Sequence, residues 1–188
     1  MNLTGIINEI DKAINAVLTP RELSPLKAWG LAERYYDDKY FFSGVQQGSE
    51  IVNCMFTDQY RCSWYHRELT GKYLTVENNY GDKLDKVEES NEIALIIFFH
   101  RSTLTAETVK DLFIGSIPSV LSKVICESLQ LFDCRIELIN HDLDARVVQQ
   151  SETNVPEVRV GLNYGLVSVR YSIKTTYRRS CIELCKNC

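Results

Sequence analysis

The spacing of hydrophobic residues predicts a helix at the start of the chain. From Leu3 to Leu18 the apolar residues recur every three or four positions, which is the spacing of an amphipathic helix. Pro20 ends this helix because it lacks the backbone N–H that a further turn needs. We therefore predict an N-terminal helix with one apolar face.

The pattern changes to that of β structure between residues 27 and 77. Aromatic and β-branched residues are dense there, and turn residues interrupt them. We expect Thr70 and Gly71 to form one of these turns. The predicted strands cover residues 35–42, 51–56, 60–65 and 73–77.

A polar stretch, residues 78–92, follows this β region. Its acidic residues outnumber its lysines, so we predict a solvated loop that becomes ordered against a partner. The acidic residues that we expect to contact a partner are Asp82, Asp85, Glu88 and Glu89.

The second half of the sequence predicts three more strands and a second long helix. The unbroken apolar run 93–99 favours a strand that is buried on both faces. Residues 105–132 carry a helical stripe, which Thr105 caps and which should kink near Pro118. Strands at 133–139 and 166–177 complete the predicted elements.

These elements define the predicted fold class. It is α+β, with a mixed or antiparallel sheet packed by the N-terminal helix and by a long, kinked central helix. The 188 residues suit a single domain, with the polar loop at 78–92 and a cysteine-bearing tail at 180–188.

Composition and charge exclude several classes of protein. Hydrophobic residues make up 45% and charged residues 24% of the chain, which argues against a disordered protein. The net charge of −4 argues against a general nucleic-acid coat, because phosphate binding needs excess Lys and Arg. No apolar run reaches the roughly 18 residues of a membrane-spanning helix, so we predict no membrane partner.

The C-terminal tail holds three of the seven cysteines, Cys181, Cys185 and Cys188. Thiolates at this spacing can bind zinc or an iron–sulfur cluster if a fourth ligand is near. Structural zinc sites usually present two paired hooks, however, so we favour free thiols and predict no metal or cofactor. A small metal-dependent regulatory or nucleic-acid-binding module is the alternative function.

Cys62 and His66 raise the possibility of a thiol enzyme, since a thiol beside an imidazole is a common nucleophile. On a strand, residues four apart are separated by about 13 Å, which is too far for that pair. We therefore predict an ordinary strand cysteine, a surface histidine and no catalytic residue.

A basic cluster lies in and just after the last predicted strand. It suits contact with an acidic neighbour, such as an identical subunit that presents the acidic loop. An ordinary solvated strand face explains it equally well. The cluster consists of Arg170, Lys174, Arg178 and Arg179.

The order of elements, together with the chain end VRYSIKTTYRRS, resembles the neck and tail-terminator (tail-completion) ring proteins of tailed bacteriophages. The resemblance implies a tail-terminator-like fold and a homo-oligomeric ring at the head–tail connector, the neck or the tail end. It implies copies of the chain and portal, neck or tail-tube proteins as partners, with genomic DNA passing through the channel without sequence-specific contact. It also implies a virion protein, present in the host cytoplasm during assembly, that is not an enzyme.

Overall fold

The computed structural model is an α+β fold, and it describes residues 3–21, 23–54, 59–76, 86–123, 133–154 and 164–178. The helices are α1 (Leu3–Leu18), α2 (Ala106–Lys110), α3 (Ile117–Leu121) and α4 (Ala145–Glu152), and the π-helical segment Asp111–Ser116 joins α2 to α3. The strands are β1 (Leu26–Asp37), β2 (Tyr40–Gln47), β3 (Glu50–Asn53), β4 (Cys62–Val76), β5 (Lys86–His100), β6 (Asp133–Asp142) and β7 (Tyr164–Arg178).

All the described strands belong to one mixed sheet. Its order is β3-β2-β1-β4-β5-β7-β6, so β3 and β6 are the outermost described strands. β1 and β4 run parallel, whereas the other neighbours are antiparallel. β5 pairs with β4 and β7, and residues 93–99 are buried, which confirms the prediction of a strand covered on both faces.

Helices cover one face of the sheet. The predicted amphipathic helix is confirmed as α1, whose apolar stripe is fully buried. That stripe packs with α3 and the π-helical segment over the side chains of β4, β5 and β7, which include Trp64, Leu95 and Val169. The members of the stripe are Ile6, Ile7, Ile10, Ile14 and Leu18.

The opposite face is covered in part by α4 and by the β1–β3 meander. β1 pairs first with β4 and then, from Glu33 onward, with β2. Gly30, whose φ of +75° suits glycine, lies at the register shift in the pairing with β4. Cys54, after β3, and Val148, on α4, join Phe98 in a second apolar cluster.

The predicted single strand over residues 35–42 is wrong. β1 ends at Asp37 and β2 begins at Tyr40, with a two-residue turn between them. Asp38 has a φ of +46°, in the left-handed region that aspartate tolerates better than most residues. The dense aromatic residues on both sides of the turn hide it from a sequence pattern.

Two other breaks predicted in the β region are strand instead. Thr70 and Gly71 lie inside β4, where a register shift after Glu68 accommodates them. The prediction of a polar loop is wrong for residues 86–92. These residues begin β5 and pair with β4 on one side and with β7 on the other. Backbone hydrogen bonds hold this polar stretch in the sheet although its side chains are not apolar. The rest of the predicted loop lies outside the described residues.

Only the first part of the predicted central helix lies among the described residues. Thr105 caps α2, since its Oγ1 accepts a hydrogen bond of 3.2 Å from the Thr108 N–H. The π-helical segment interrupts the helix directly before Ile117 and Pro118, close to the predicted kink. Residues 124–132 lie outside the described residues, so a long kinked helix is not confirmed. The strands predicted at 133–139 and 166–177 are confirmed as β6 and β7.

Candidate functional site

Two of the four predicted basic residues lie on one face of β7. Val169, Tyr171 and Ile173 pack against the helical side, and alternation along the strand places Arg170 and Lys174 on the other face. Lys174 Nζ donates a hydrogen bond of 2.8 Å to Glu137 on β6. This bond lowers the pKa of the Glu137 carboxyl below its ordinary value. Lys174 therefore already has an acidic partner within the same chain.

The described acidic residues of the predicted interface lie on the neighbouring strand, β5. Glu88 pairs in register with Thr176 and Glu89 with Thr175. Glu89 is buried and accepts a hydrogen bond of 3.3 Å from the Asn91 amide. Glu89 is therefore shielded from solvent within the subunit, and its contact with another subunit stays a prediction.

Of the other predicted site residues, the structure describes only the backbone of Arg178, which pairs with Lys86. The remaining ones lie outside the described residues, so their contacts stay predictions. They are Asp82, Asp85, Arg179, Cys181, Cys185 and Cys188.

His66 is a core residue, and the prediction of a surface histidine is wrong. It is fully buried, with Nε2 2.8 Å from Asp11 Oδ1 and Nδ1 2.7 Å from the Tyr171 hydroxyl. The Trp64 indole N–H donates a third hydrogen bond, of 2.6 Å, to the same carboxylate oxygen. Because the Asp11 carboxylate only accepts, Nε2 is the donor in that hydrogen bond.

This buried network fastens α1 to the sheet. Asp11 comes from α1, His66 from β4 and Tyr171 from β7. Burial, reinforced by the nearby Asp11 carboxylate, raises the pKa of Tyr171 well above its ordinary value. Burial also raises the pKa of the Cys62 thiol to about 12, which keeps it protonated at neutral pH. The hydrogen bonds of Asp11, His66 and Tyr171 thus join α1 to β4 and β7.

Glu152 forms a second buried network, at the C-terminal end of α4. The Arg67 guanidinium binds its carboxylate through two nitrogens, with Nη2 2.6 Å from Oε1 and Nε 2.9 Å from Oε2. Ser43 donates a hydrogen bond of 2.8 Å and Tyr65 one of 3.1 Å to the same carboxylate. Burial and this carboxylate raise the pKa of Tyr65 well above its ordinary value. Glu152 therefore joins α4 to β2 and β4.

Large apolar side chains are exposed on the β1–β3 meander and on β6 and α4. Tyr36, at the end of β1, is 74% exposed, and the others are 40–51% exposed. The meander surface consists of Tyr40 and Ile51, which the register places on one face of β2 and β3, whereas Tyr36 pairs with Phe41 on the opposite face. The β6–α4 surface consists of Leu143 and Val147. On β6, Ile139 is exposed beside Leu138, which pairs with Tyr171 on the face that α1 covers.

A pocket of about 150 Å³ adjoins the β6–α4 surface. It lies between α4 and the neighbouring strands β6 and β7. Among the described residues, the Arg170 guanidinium at this pocket has no hydrogen bond or ion pair. The pocket is lined by Asn140, His141, Asp142, Val147, Val148, Ser151, Ser168 and Arg170.

Comparison with known proteins gives no relative: no protein-family model and no curated protein matches the chain. No helix in the described part of the chain is long and apolar enough to cross a membrane. The same residues contain no group of three His, Cys, Asp or Glu side chains placed to hold a metal ion.

Sequence patterns missed the central residues of both buried networks and of both exposed surfaces. Asp11 and Glu152 look like ordinary polar residues of amphipathic helices, because their partners lie 55 and 85 positions away. Leu138 and Ile139 carry a weak signal: they are consecutive apolar residues in a strand that otherwise alternates. The break in alternation coincides with the register shift between Leu138 and Asn140, where both apolar side chains are exposed.

Proposed function

We propose that this chain is a structural subunit whose copies join head to tail in a homo-oligomeric ring. One observation carries the proposal: the two outermost described strands differ in sequence, and each exposes apolar side chains, Ile51 on β3 and Leu138 and Ile139 on β6. A two-fold dimer uses the same surface on both partners, whereas two different surfaces that bind each other form a ring when the rotation closes.

The outermost strands support the same proposal. β3 and β6 each have one strand neighbour in the described sheet, so their outer N–H and C=O groups face away from it. Ile51 on β3, and Leu138 and Ile139 on β6, place exposed apolar side chains along these edges. An edge of this kind favours association with another chain.

The buried polar networks support a structural role over a catalytic one. His66 uses both ring nitrogens to hold Asp11 and Tyr171, and none of these contacts faces the exposed surfaces. The Glu152 carboxylate likewise accepts hydrogen bonds from Arg67 and from two hydroxyl groups. These buried groups thus hold α1 and α4 on the sheet.

We place this ring at the head–tail connector, the neck or the tail end of a tailed phage. The support is the element order and chain end described above, together with the α+β fold and its mixed sheet. Its partners would be copies of itself and portal, neck or tail-tube proteins. Genomic DNA would pass through the channel without sequence-specific contact, and the subunit would assemble in the host cytoplasm before it becomes part of the virion.

The native mass of the purified protein, with negative-stain images of the same sample, tests the proposal. We expect closed rings with a central hole. Variants Ile51→Asp and Leu138→Asp should each fail to form rings alone, and their equimolar mixture should form a one-to-one dimer. This outcome follows because each variant keeps the surface that the other lacks.

The control carries the same added charge away from both surfaces: Asn15→Asp, on the exposed side of α1, should form rings as the wild type does. Removing an apolar side chain from an interface costs about 2 kcal/mol, which corresponds to a loss of affinity of about thirtyfold. A wild type that stays monomeric at every concentration, or variants that do not complement each other, would refute head-to-tail assembly.

A further inference from the structure

We infer that Glu68 and Asn91 bind a calcium ion beside Gly71. A carboxylate oxygen of Glu68 and the amide oxygen of Asn91 are the protein ligands, and water supplies the others. The site lies on β4 and β5, in the middle of the strand order. The inference goes beyond the proposed assembly and does not rest on it.

An irregularity in the pairing of β4 with β5 brings these residues onto one face of the sheet. Gly71 pairs in register with Asn91. Glu68 pairs with Ile93, two positions further along β5, and the register shifts directly after Glu68. Partners in register share a face, and so do alternate residues of one strand. Glu68 and Gly71 therefore both lie on the face of Asn91, and a bulge of this kind re-aims a side chain.

Two oxygen atoms converge where a side chain of residue 71 would lie. A Cβ on Gly71 would be 2.8 Å from Asn91 Oδ1 and 3.0 Å from Glu68 Oε1. An amide oxygen and a carboxylate oxygen both accept hydrogen bonds and donate none. The two atoms repel each other unless a cation or a hydrogen-bond donor lies between them.

The amide oxygen of Asn91 is buried without a partner. Asn91 is 2% exposed, and its Oδ1 accepts no hydrogen bond from the described residues. Its nitrogen donates a hydrogen bond of 3.3 Å to Glu89, which turns Oδ1 away from that carboxylate. Turning the amide over does not satisfy the oxygen, because it then faces Glu89 instead. A buried acceptor in this position calls for a ligand.

The carboxylate of Glu68 also lacks a partner within the described part of the chain. It accepts no hydrogen bond and forms no ion pair there. Glu68 is exposed, so water and ions reach its carboxylate. An open carboxylate beside a buried, unsatisfied amide oxygen is a site that a small cation can enter from solvent.

The chemistry of these groups favours calcium among common metal ions. Carboxylate, amide and water oxygens are the ligands of hard cations, whereas zinc prefers nitrogen and sulfur. Calcium accepts irregular sets of about six to eight oxygens, whereas magnesium needs a near-ideal octahedron. The described residues contain no group of three His, Cys, Asp or Glu side chains that could hold a metal ion, and here an amide takes part instead. With so few protein ligands, we expect a dissociation constant of about 1 mM.

Calorimetric titration of the chelator-treated protein with calcium chloride tests the inference. We expect a single ion per chain, and a higher unfolding temperature in about 10 mM calcium than in sodium chloride of equal ionic strength. Glu68→Gln should weaken calcium binding at least about tenfold. The matched control Glu92→Gln removes the same charge from an exposed residue on the opposite face of β5, and it should bind calcium as the wild type does.

A second variant should make stability depend on the ion. Asn91→Asp places a carboxylate where the amide was, so it loses the hydrogen bond to Glu89 and brings two negative charges together. Without calcium this variant should unfold at a lower temperature than the wild type. Calcium should raise its unfolding temperature by more than that of the wild type, because a carboxylate is the stronger ligand.

The outcomes bear on this site alone. A wild type that gives no heat of binding and whose unfolding temperature does not respond to calcium would overturn the site. Equal losses in Glu68→Gln and Glu92→Gln would do the same, since they would indicate general attraction to a charged surface. An equal response to magnesium chloride would overturn the assignment to calcium. Ring formation enters none of these measurements, so the proposed function stands or falls separately.

Discussion

At the scale of single residues, Asp11 shows how one carboxylate can position a whole helix. It accepts hydrogen bonds from Trp64 and His66, and His66 in turn accepts one from Tyr171. Buried polar groups stay favourable only while each has a partner, so removing one member leaves others unpaired.

Replacing Asp11 with Asn should lower the free energy of unfolding by about 2 kcal/mol, because hydrogen bonds to a charged, partly buried group are stronger than average. Chemical denaturation measures the effect. The matched control is Asp111→Asn, which removes an exposed ion pair of 3.4 Å with Arg21 and should cost at most about 1 kcal/mol. Equal losses in both variants would contradict the role given to Asp11.

The buried thiol of Cys62 makes stability depend on alkaline pH. Its pKa rises from the ordinary 9.0 to about 12 in the folded chain. Below pH 9 folded and unfolded chains both keep the proton, whereas above pH 9 the unfolded chain releases it first. The free energy of unfolding should therefore fall between pH 9 and 12, by about 1.4 kcal/mol per pH unit for this group. Denaturation curves at several pH values should show a shallower slope for Cys62→Ala, and an unchanged slope would refute the assignment.

At the scale of elements, α4 depends on its last residue more than on its apolar face. Val148 packs into the second apolar cluster, whereas Val147 is exposed. Glu152 supplies the remaining attachment through Arg67, Ser43 and Tyr65. A helix of eight residues has little stability of its own, so these contacts decide whether it forms.

Replacing Glu152 with Gln should lower the free energy of unfolding by about 3 kcal/mol, because it leaves the Arg67 charge partly buried without its partner. Amide exchange should speed up first in residues 145–152. The control Glu137→Gln breaks an exposed pair with Lys174 and should leave stability unchanged. Uniform loss of protection across the chain would argue against a local attachment.

Periodicity predicts elements that repeat one pattern for long enough, and it fails where pairing is decided from a distance. The helix at Leu3–Leu18 and the buried run 93–99 each keep a single pattern, and both are confirmed. The polar start of β5 offers no apolar pattern, since β4 and β7 hold it through the backbone. The candidate site was harder to predict, because the exposure of Leu138 and Ile51 depends on which strands lie at the edges of the sheet.

At the scale of the whole molecule, the sheet gives the subunit two distinct ends. Ile51 is exposed on β3, the outermost described strand on one side, and Leu138 and Ile139 are exposed on β6, the outermost on the other. Among the described residues, Glu88 and Glu89 lie on β5 and the basic residues Arg170 and Lys174 on the neighbouring strand β7. This polarity is what head-to-tail assembly requires.

Assembly should protect both ends of the sheet and leave its middle unchanged. In hydrogen exchange of rings compared with a monomeric variant such as Leu138→Asp, we expect slower exchange in β3, in the β1–β2 turn and in β6. The central strand β5 serves as the internal control, because it is already buried in the monomer. Protection confined to one end would indicate two-fold association instead.

The hydrogen bonds between Asn154 and the β1–β2 turn have a consequence for synthesis on the ribosome. The β1–β2 turn is made early, yet Asn154, which holds Phe41 and Lys39, is translated more than a hundred codons later. Arg34 likewise reaches its partner, the carbonyl of Ser151, across 117 positions. The β1–β2 turn of a nascent chain therefore lacks these contacts until the region around residue 154 has emerged.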